Sequence, residues 1–255
     1  MPGTGGPHHP DRTPFTLGRM SPVAPGTPIS PLHHGHAQLV VIQPPFGPPL
    51  LPTERPPAAS HDPAAARAAV LSLTTVSAIR REDAPSRLAH PGSPSDREEV
   101  DCVGAAAWGS TVMVSDPALI EDGVLGGALE DEFQAQRAMH PDARIIALCA
   151  RDFGASYTKI LVAVPGAPDL MFEGFEELET VGDPHATLAA VGIEPGRLEE
   201  LYDFSSEGCF DYDALLHTLT GGALSVYTQE ERFESAFVVD RSEEAEGTIC
   251  ELWFP

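Results

Sequence analysis

In a chain of 255 residues, 38 acidic side chains face 15 basic ones, for a net charge of −23. That sign repels nucleic-acid phosphates and anionic lipid, which argues against both as partners and leaves cations or a basic protein as the complement. No positively charged segment precedes an apolar run at the start, and no apolar stretch approaches the roughly 18 residues of a membrane helix; the expected setting is soluble and cytoplasmic.

The composition changes sharply near residue 100. The first 100 residues hold 19 of the 26 prolines and 7 of the 10 histidines, but only two of the 17 aromatics, Phe15 and Phe46. Aromatics contribute most area to a core, so the main core is expected beyond that point. Charge divides there too: residues 1–100 are neutral, and residues 101–255 carry the whole −23. Cys102, Cys149, Cys209 and Cys250 form no C-x-x-C pair, so neither a zinc nor a redox motif is expected, and the thiols should be reduced.

In chain order, residues 1–35 are Pro/Gly/His-rich without periodicity and read as a disordered leader. Residues 36–255 read as a single acidic α+β domain. A strand is expected at 37–43. Asp62-Pro63 opens a helix that the pattern carries to about Arg81, because Asp at the cap accepts backbone N–H groups and Pro at the first helical position loses nothing. A loop covers 84–97. Two strands meet near Gly109, Asp116-Pro117 repeats the helix-start signal, and Leu125, Leu129, Phe133, Gln136 and Met139 mark a helical stripe. Residues 144–152 and 155–164 form a hairpin, and an edge strand follows near 169–175. Asp183-Pro184 opens a helix that Gly192 ends. Further helices fall at 195–202 and 212–219, the latter stopped by Gly221-Gly222. "ALSVYTQ", "RFESAFVVD" and "TICELWF" read as three closing strands. Strands joined mainly by hairpins, with interspersed helices, indicate α+β architecture: a mixed, mainly antiparallel sheet with helices packed on it.

Two catalytic signatures overlap within "ARDFGASYTK", and neither stands. Asp152-Phe153-Gly154 copies a kinase motif, but kinase chemistry needs a strand lysine before it and an asparagine for metal. The only lysine, Lys159, comes after it, and the chain has no asparagine. Ser156-x-x-Lys159 copies an acyl-transferase motif, yet in a strand these two side chains point to opposite faces. The expectation is a hairpin with a solvated Lys159 and a buried, unreactive Cys149.

The stretch 203–214 resembles a calcium loop. Asp203, Ser205, Glu207, Gly208, Phe210 and Asp211 fill its first positions, but Ala214 stands where a bidentate Glu belongs. Cys209 is a candidate nucleophile, with His217 and Asp213 at i, i+4 spacing as a supporting pair and His185 as another histidine within the region. The bland alternative is a loop cysteine with a helix-surface ion pair. His8, His9, His33, His34 and His36 offer only adventitious metal binding. The run Asp169, Glu173, Glu176, Glu177 and Glu179 is either a carboxylate site or a solvated face.

"AAWGSTVMVSDPALIEDG" and "HPDARIIALCARDFG" resemble segments of uncharacterised, acidic, one-domain proteins of GC-rich bacteria. The resemblance implies no activity and no site residues. The expected function is therefore non-enzymatic, an immunity- or inhibitor-like domain whose Glu173, Glu176, Glu177 and Glu179 meet a basic protein, with no cofactor. The alternatives are a small hydrolase using carboxylates or Cys209, and a weak calcium-binding module. Calorimetry should find calcium affinity no tighter than about millimolar, as in weak extracellular modules. A micromolar site would make Asp203, Ser205, Glu207 and Asp211 the functional residues.

Overall fold

The strand at the centre of the fold, β1 (His34–Ile42), is buried without interruption from Ala37 to Ile42. A strand apolar on both faces must be covered on both, and the computed structural model shows how. It describes residues 23–56, 59–87, 93–124, 128–175, 177–197, 212–224 and 233–255. The remaining strands are β2 (Val76–Glu82), β3 (Ser86–Arg87), β4 (Cys102–Trp108), β5 (Thr111–Ser115), β6 (Arg144–Asp152), β7 (Ser156–Ala163), β8 (Leu170–Phe175), β9 (Glu179–Val181) and β10 (Phe233–Arg241). They form one sheet in the order β2-β10-β4-β5-β1-β6-β7-β8-β9, with β3 also on β10, and every pairing is antiparallel. β4 and β5 are joined through Gly109 (φ +57°), where a tight hairpin turn needs positive φ.

Six α-helices flank this sheet among the described residues: α1 (Pro63–Ser72), α2 (Arg97–Val100), α3 (Ala128–Met139), α4 (Pro184–Ala190), α5 (Tyr212–Leu219) and α6 (Glu243–Trp253). The predicted Asp-Pro starts hold. Asp62 Oδ1 accepts the N–H groups of Ala64 and Ala65, and Asp183 Oδ1 those of His185 and Ala186. Asp116 caps a single 3₁₀ turn, Pro117–Leu119. α4 ends as predicted at Gly192 (φ +98°), with Gly192 N–H on Ala189 O and Ile193 N–H on Leu188 O; this paired capping closes the last turn.

Strand alternation divides the core in two. On the first face, Leu39, Val41, Ala105, Ile145, Leu161 and Phe237 pack with Val70 of α1, Phe133 of α3 and Ile249 and Trp253 of α6. On the second, Val40, Ile42, Ile146, Ile160 and Phe172 pack under Leu188 of α4 and Leu215 and Leu219 of α5. Among the described residues no helix is long and apolar enough to cross a membrane.

The structure corrects four expectations. The first helix stops at Ser72, not near Arg81, and 76–82 is β2. Thr74, Thr75 and Val76 are β-branched and favour extended backbone, and β2 gains its partner from β10. "TICELWF" lies in a helix rather than a strand. Ser242 Oγ accepts Ala245 N–H at 3.2 Å, Glu243, Glu244 and Glu246 occupy the first turn, and Ala245, Ile249, Leu252 and Trp253 are buried on one stripe. The segment from residue 23 to β1, assigned to the leader, packs on the fold: Ile29 is buried and its N–H reaches Ser95 O at 2.9 Å. Residues 1–22 lie outside the described residues, as does most of "ALSVYTQ". The strand near 169–175 is not the edge, because β9 pairs with its outer side.

Trp253 is the largest fully buried side chain, and its Nε1–H donates to Pro117 O at 3.1 Å. Trp253→Ala should lower unfolding free energy by about 3–5 kcal/mol. Trp253→Phe, which keeps a ring but loses the hydrogen bond, should cost roughly 1–2 kcal/mol. Urea denaturation separates the two. An unchanged midpoint for the alanine variant would show that α6 is dispensable to the core.

Candidate functional site

Alternation along β7 sends Tyr157, Lys159 and Leu161 to the first face. Lys159 is therefore not solvated, as the hairpin pattern suggested, but 6% exposed. A buried ammonium is costly unless paired, and this one has three carboxylates around it. Its Nζ lies 3.1 Å from Glu121 Oε2, 3.0 Å from Glu130 Oε2 and 3.9 Å from Glu173 Oε1. Each comes from a different element. Glu121 follows the 3₁₀ turn and is itself buried, and its Oε1 accepts Glu130 N–H at 3.2 Å in the first turn of α3. Glu173 stands directly across from Lys159 on β8 and accepts Tyr157 O–H at 2.6 Å.

These groups share the wall of a cavity of about 850 Å³, lined also by Asp131, Glu244, Thr74, Thr75, Ser242 and Thr248. Five carboxylates thus meet one ammonium. Burial pushes the Glu121 carboxyl above the usual range despite the pull of Lys159. Burial also draws on Lys159 in the neutral direction, but the bonds to Glu130 and Glu121 outweigh it and the amine stays above its ordinary value. Burial, reinforced by the bond to Glu173, raises Tyr157. At neutral pH the site therefore holds an ammonium and a phenol, neither of which is a nucleophile. What it offers is carboxylate oxygen to a positive group.

The residues singled out from sequence are scattered. Asp203, Ser205, Glu207, Cys209, Asp211 and Glu176 lie outside the described residues. Ala214, at the last position of the calcium-like loop, is buried in α5. His217 forms no surface pair with Asp213: it is 4% exposed, and its Nε2 lies 3.0 Å from Glu54 O. α5 turns that side chain into the second core, where a backbone carbonyl is the partner in reach. Glu173 belongs to the cavity. Glu179 sits across from it on β9 and, like Glu177, is exposed. Asp169 pairs with Arg137 at 2.6 Å.

One Ser–His contact occurs where the sequence gave no warning. His61 Nε2 lies 3.0 Å from Ser235 Oγ, but His61 Nδ1 accepts Ala107 N–H at 3.3 Å. That bond places the ring proton on Nε2, so His61 donates to the serine and cannot take its proton. Ser235 is also fully buried. Burial pushes the Cys102 thiol up to about 11 and the Cys149 thiol up to about 12, which keeps both protonated. Among the described residues no group of three or more His, Cys, Asp or Glu is arranged to hold a metal ion.

Sequence reasoning missed Glu121, Glu130, Glu244 and Tyr157 as members of one site. The available signal was Lys159 itself, a lone lysine alternating with Leu161 on a core-facing strand.

The fold and cavity define an antiparallel α+β protein with a carboxylate-rich cleft around a buried lysine, between its sheet and one helix layer. The chain belongs to a family of unknown function, DUF6333, which it matches over residues 20–255. No curated protein and no solved structure matches it.

Glu121 makes the cleft sensitive to pH. A carboxyl raised in the folded state stabilises fully below its unfolded value, and that contribution is lost as pH rises through the folded one. The stability difference between wild type and Glu121→Gln should therefore shrink as pH rises above the ordinary carboxylate range of about 4. Urea midpoints at several pH values measure it; a difference that grows with pH would show that Glu121 is ionised throughout.

Proposed function

We propose that this chain is a non-enzymatic protein that binds a basic protein partner, in the manner of an immunity or inhibitor protein, and that a lysine or arginine of the partner enters the carboxylate cleft. The observation that carries this reading is the excess of carboxylate over ammonium in a cavity of about 850 Å³. Lys159 organises Glu121, Glu130 and Glu173 but leaves them unneutralised, and Asp131 and Glu244 extend the negative wall outward. Glu177 and Glu179, exposed beyond β8, continue the same sign over the surface. Opposite charge of this kind accelerates encounter, and a carboxylate buried against a partner's cation slows release. A reducing, cytoplasmic setting goes with this reading, since Cys102, Cys149 and Cys250 are all free.

The reading predicts a basic partner whose association slows steeply as ionic strength rises from about 0.01 M to about 0.1 M, where the screening length falls to about 10 Å. Glu177→Lys with Glu179→Lys should slow association and leave folding stability nearly unchanged. Glu130→Gln with Glu244→Gln should instead speed dissociation. Affinity capture from the host at low salt supplies the partner, and surface-immobilised kinetics supply both rates. A captured protein whose rates ignore the cleft variants would overturn the reading.

A further inference from the structure

The first face of the sheet loses its cover at β8 and β9. Residues that pair across strands on this face form rows. One row reads Lys159 on β7, Glu173 on β8 and Glu179 on β9. The next reads Leu161, Met171 and Val181. β9 ends the sheet, and all three of its residues are exposed. Val181 is 56% exposed, and Phe175, two residues beyond Glu173 on the same face, is 42% exposed.

The charged row is incomplete. Opposite charges facing each other across strands stabilise a sheet, and like charges directly opposite weaken it. Lys159 lies 3.9 Å from Glu173, so the first pair is of opposite sign. Glu173 and Glu179 form the second pair, and it is of like sign. Glu173 has Lys159 and the Tyr157 hydroxyl as partners, whereas the Glu179 side chain has no ion pair or hydrogen bond among the described residues. The other end of the sheet is finished differently. On β2, Arg80 is matched to Asp101 and Asp240, and Arg81 to Asp83. An edge strand offers unpaired backbone N–H and C=O groups to another chain. At β9 that backbone carries an unanswered carboxylate and, two residues on and on the same face, an exposed apolar side chain.

We propose that β9 receives an extended segment of the basic partner as one more strand, with a lysine or arginine across from Glu179 and an apolar residue, two positions away, across from Val181. The cation gives Glu179 the opposite charge it lacks. The apolar side chain covers Val181, and backbone hydrogen bonds supply affinity, as in other cases of strand addition. A second copy of this chain fits less well. Antiparallel pairing of β9 with itself about Thr180 sets Glu179 against Val181, and each copy brings a net charge of −23. The inference rests on the reading of this chain as a binder of a basic protein, but it concerns the sheet edge and not the cleft.

The probe is a fluorescently labelled peptide, acetyl-Thr-Val-Thr-Lys-Thr-Val-Thr-amide, whose lysine and valines share one face of an extended chain. Its anisotropy is followed at about 0.15 M salt, where the screening length is about 8 Å. Saturation with Kd at or below about 1 mM is expected. The same peptide with glutamate for lysine should bind at least about tenfold more weakly. So should acetyl-Thr-Thr-Val-Lys-Val-Thr-Thr-amide, of identical composition but with the lysine turned away from the valines. Glu179→Lys should reverse the charge preference, so that the glutamate peptide binds better than the lysine peptide. Glu251→Lys, an equal charge change on α6, should leave the preference intact, as should Glu130→Gln with Glu244→Gln in the cleft. The comparisons among peptides use the wild-type chain, so they decide even where a variant fails to fold. No saturation by several times that concentration, equal binding of the reordered peptide, or an unreversed preference in Glu179→Lys would each overturn the proposal. Sedimentation showing a dimer that Glu179→Lys dissociates would put a second copy on β9 and overturn it too. A captured partner that responds to the cleft variants but ignores Glu179→Lys would sink this inference and leave the cleft reading standing.

Discussion

Everything in this structure follows from β1 having no solvent face between Ala37 and Ile42. A strand that buries six consecutive residues must sit inside a sheet and between two layers. Its odd-numbered residues commit one face to α1, α3 and α6, and its even-numbered ones commit the other to α4 and α5. Once that division is made, the neighbouring strands inherit it through register. Lys159 is then carried under α3, where Glu130 waits, and Gln38 is carried to the part of the second face that bears short and polar side chains.

Five of the scarce cations are used indoors. Arg97, Arg144, Arg151 and Lys159 are each no more than 8% exposed, and the Arg241 side chain is 1% exposed. Arg97 bridges Asp101 at 2.8 Å and Glu246 at 2.5 Å, and Arg241 reaches Asp116, whose other oxygen takes the Thr75 hydroxyl at 2.6 Å. Arg151 donates to Leu252 O and lies against the ring of Trp253. Removing one partner of such a buried pair typically costs about 3–5 kcal/mol, so these contacts tie α2 and α6 to the sheet. Asp116, Glu121, Glu132 and Glu234 are buried with these cations, so the burial of charge is nearly balanced.

Much of this was legible in the sequence where a single residue dictates local geometry. Asp before Pro sets a cap, Gly109 sets a turn, Gly192 closes a helix, and the stretch from Arg144 to Ala163 carries its own hairpin. What was not legible depends on residues far away. "TTVSAIRRE" suits helix or strand, and the decision rests on β10, about 160 positions later in the chain. "TICELWF" has strand-like composition, but the spacing of Ile249, Leu252 and Trp253 serves a helix once Ser242 caps it. Lys159 looked solvated because its partners Glu121, Glu130 and Glu173 come from three separate elements that periodicity cannot bring together.

The position of β10 has a consequence for the order in which the molecule can be made. This strand, which follows all the others in the chain, lies between β2 and β4. Until the ribosome has released residues 233–241, β4 has nothing on its outer side and β2 has no sheet to join. Unpaired strand edges are templates for association between chains, and contacts between distant segments form slowly. A nascent chain stalled near residue 230 would thus display two open edges at once. Such a molecule depends for its solubility during synthesis on the speed of elongation through its last stretch, or on a chaperone that covers those edges until the final strand slides in.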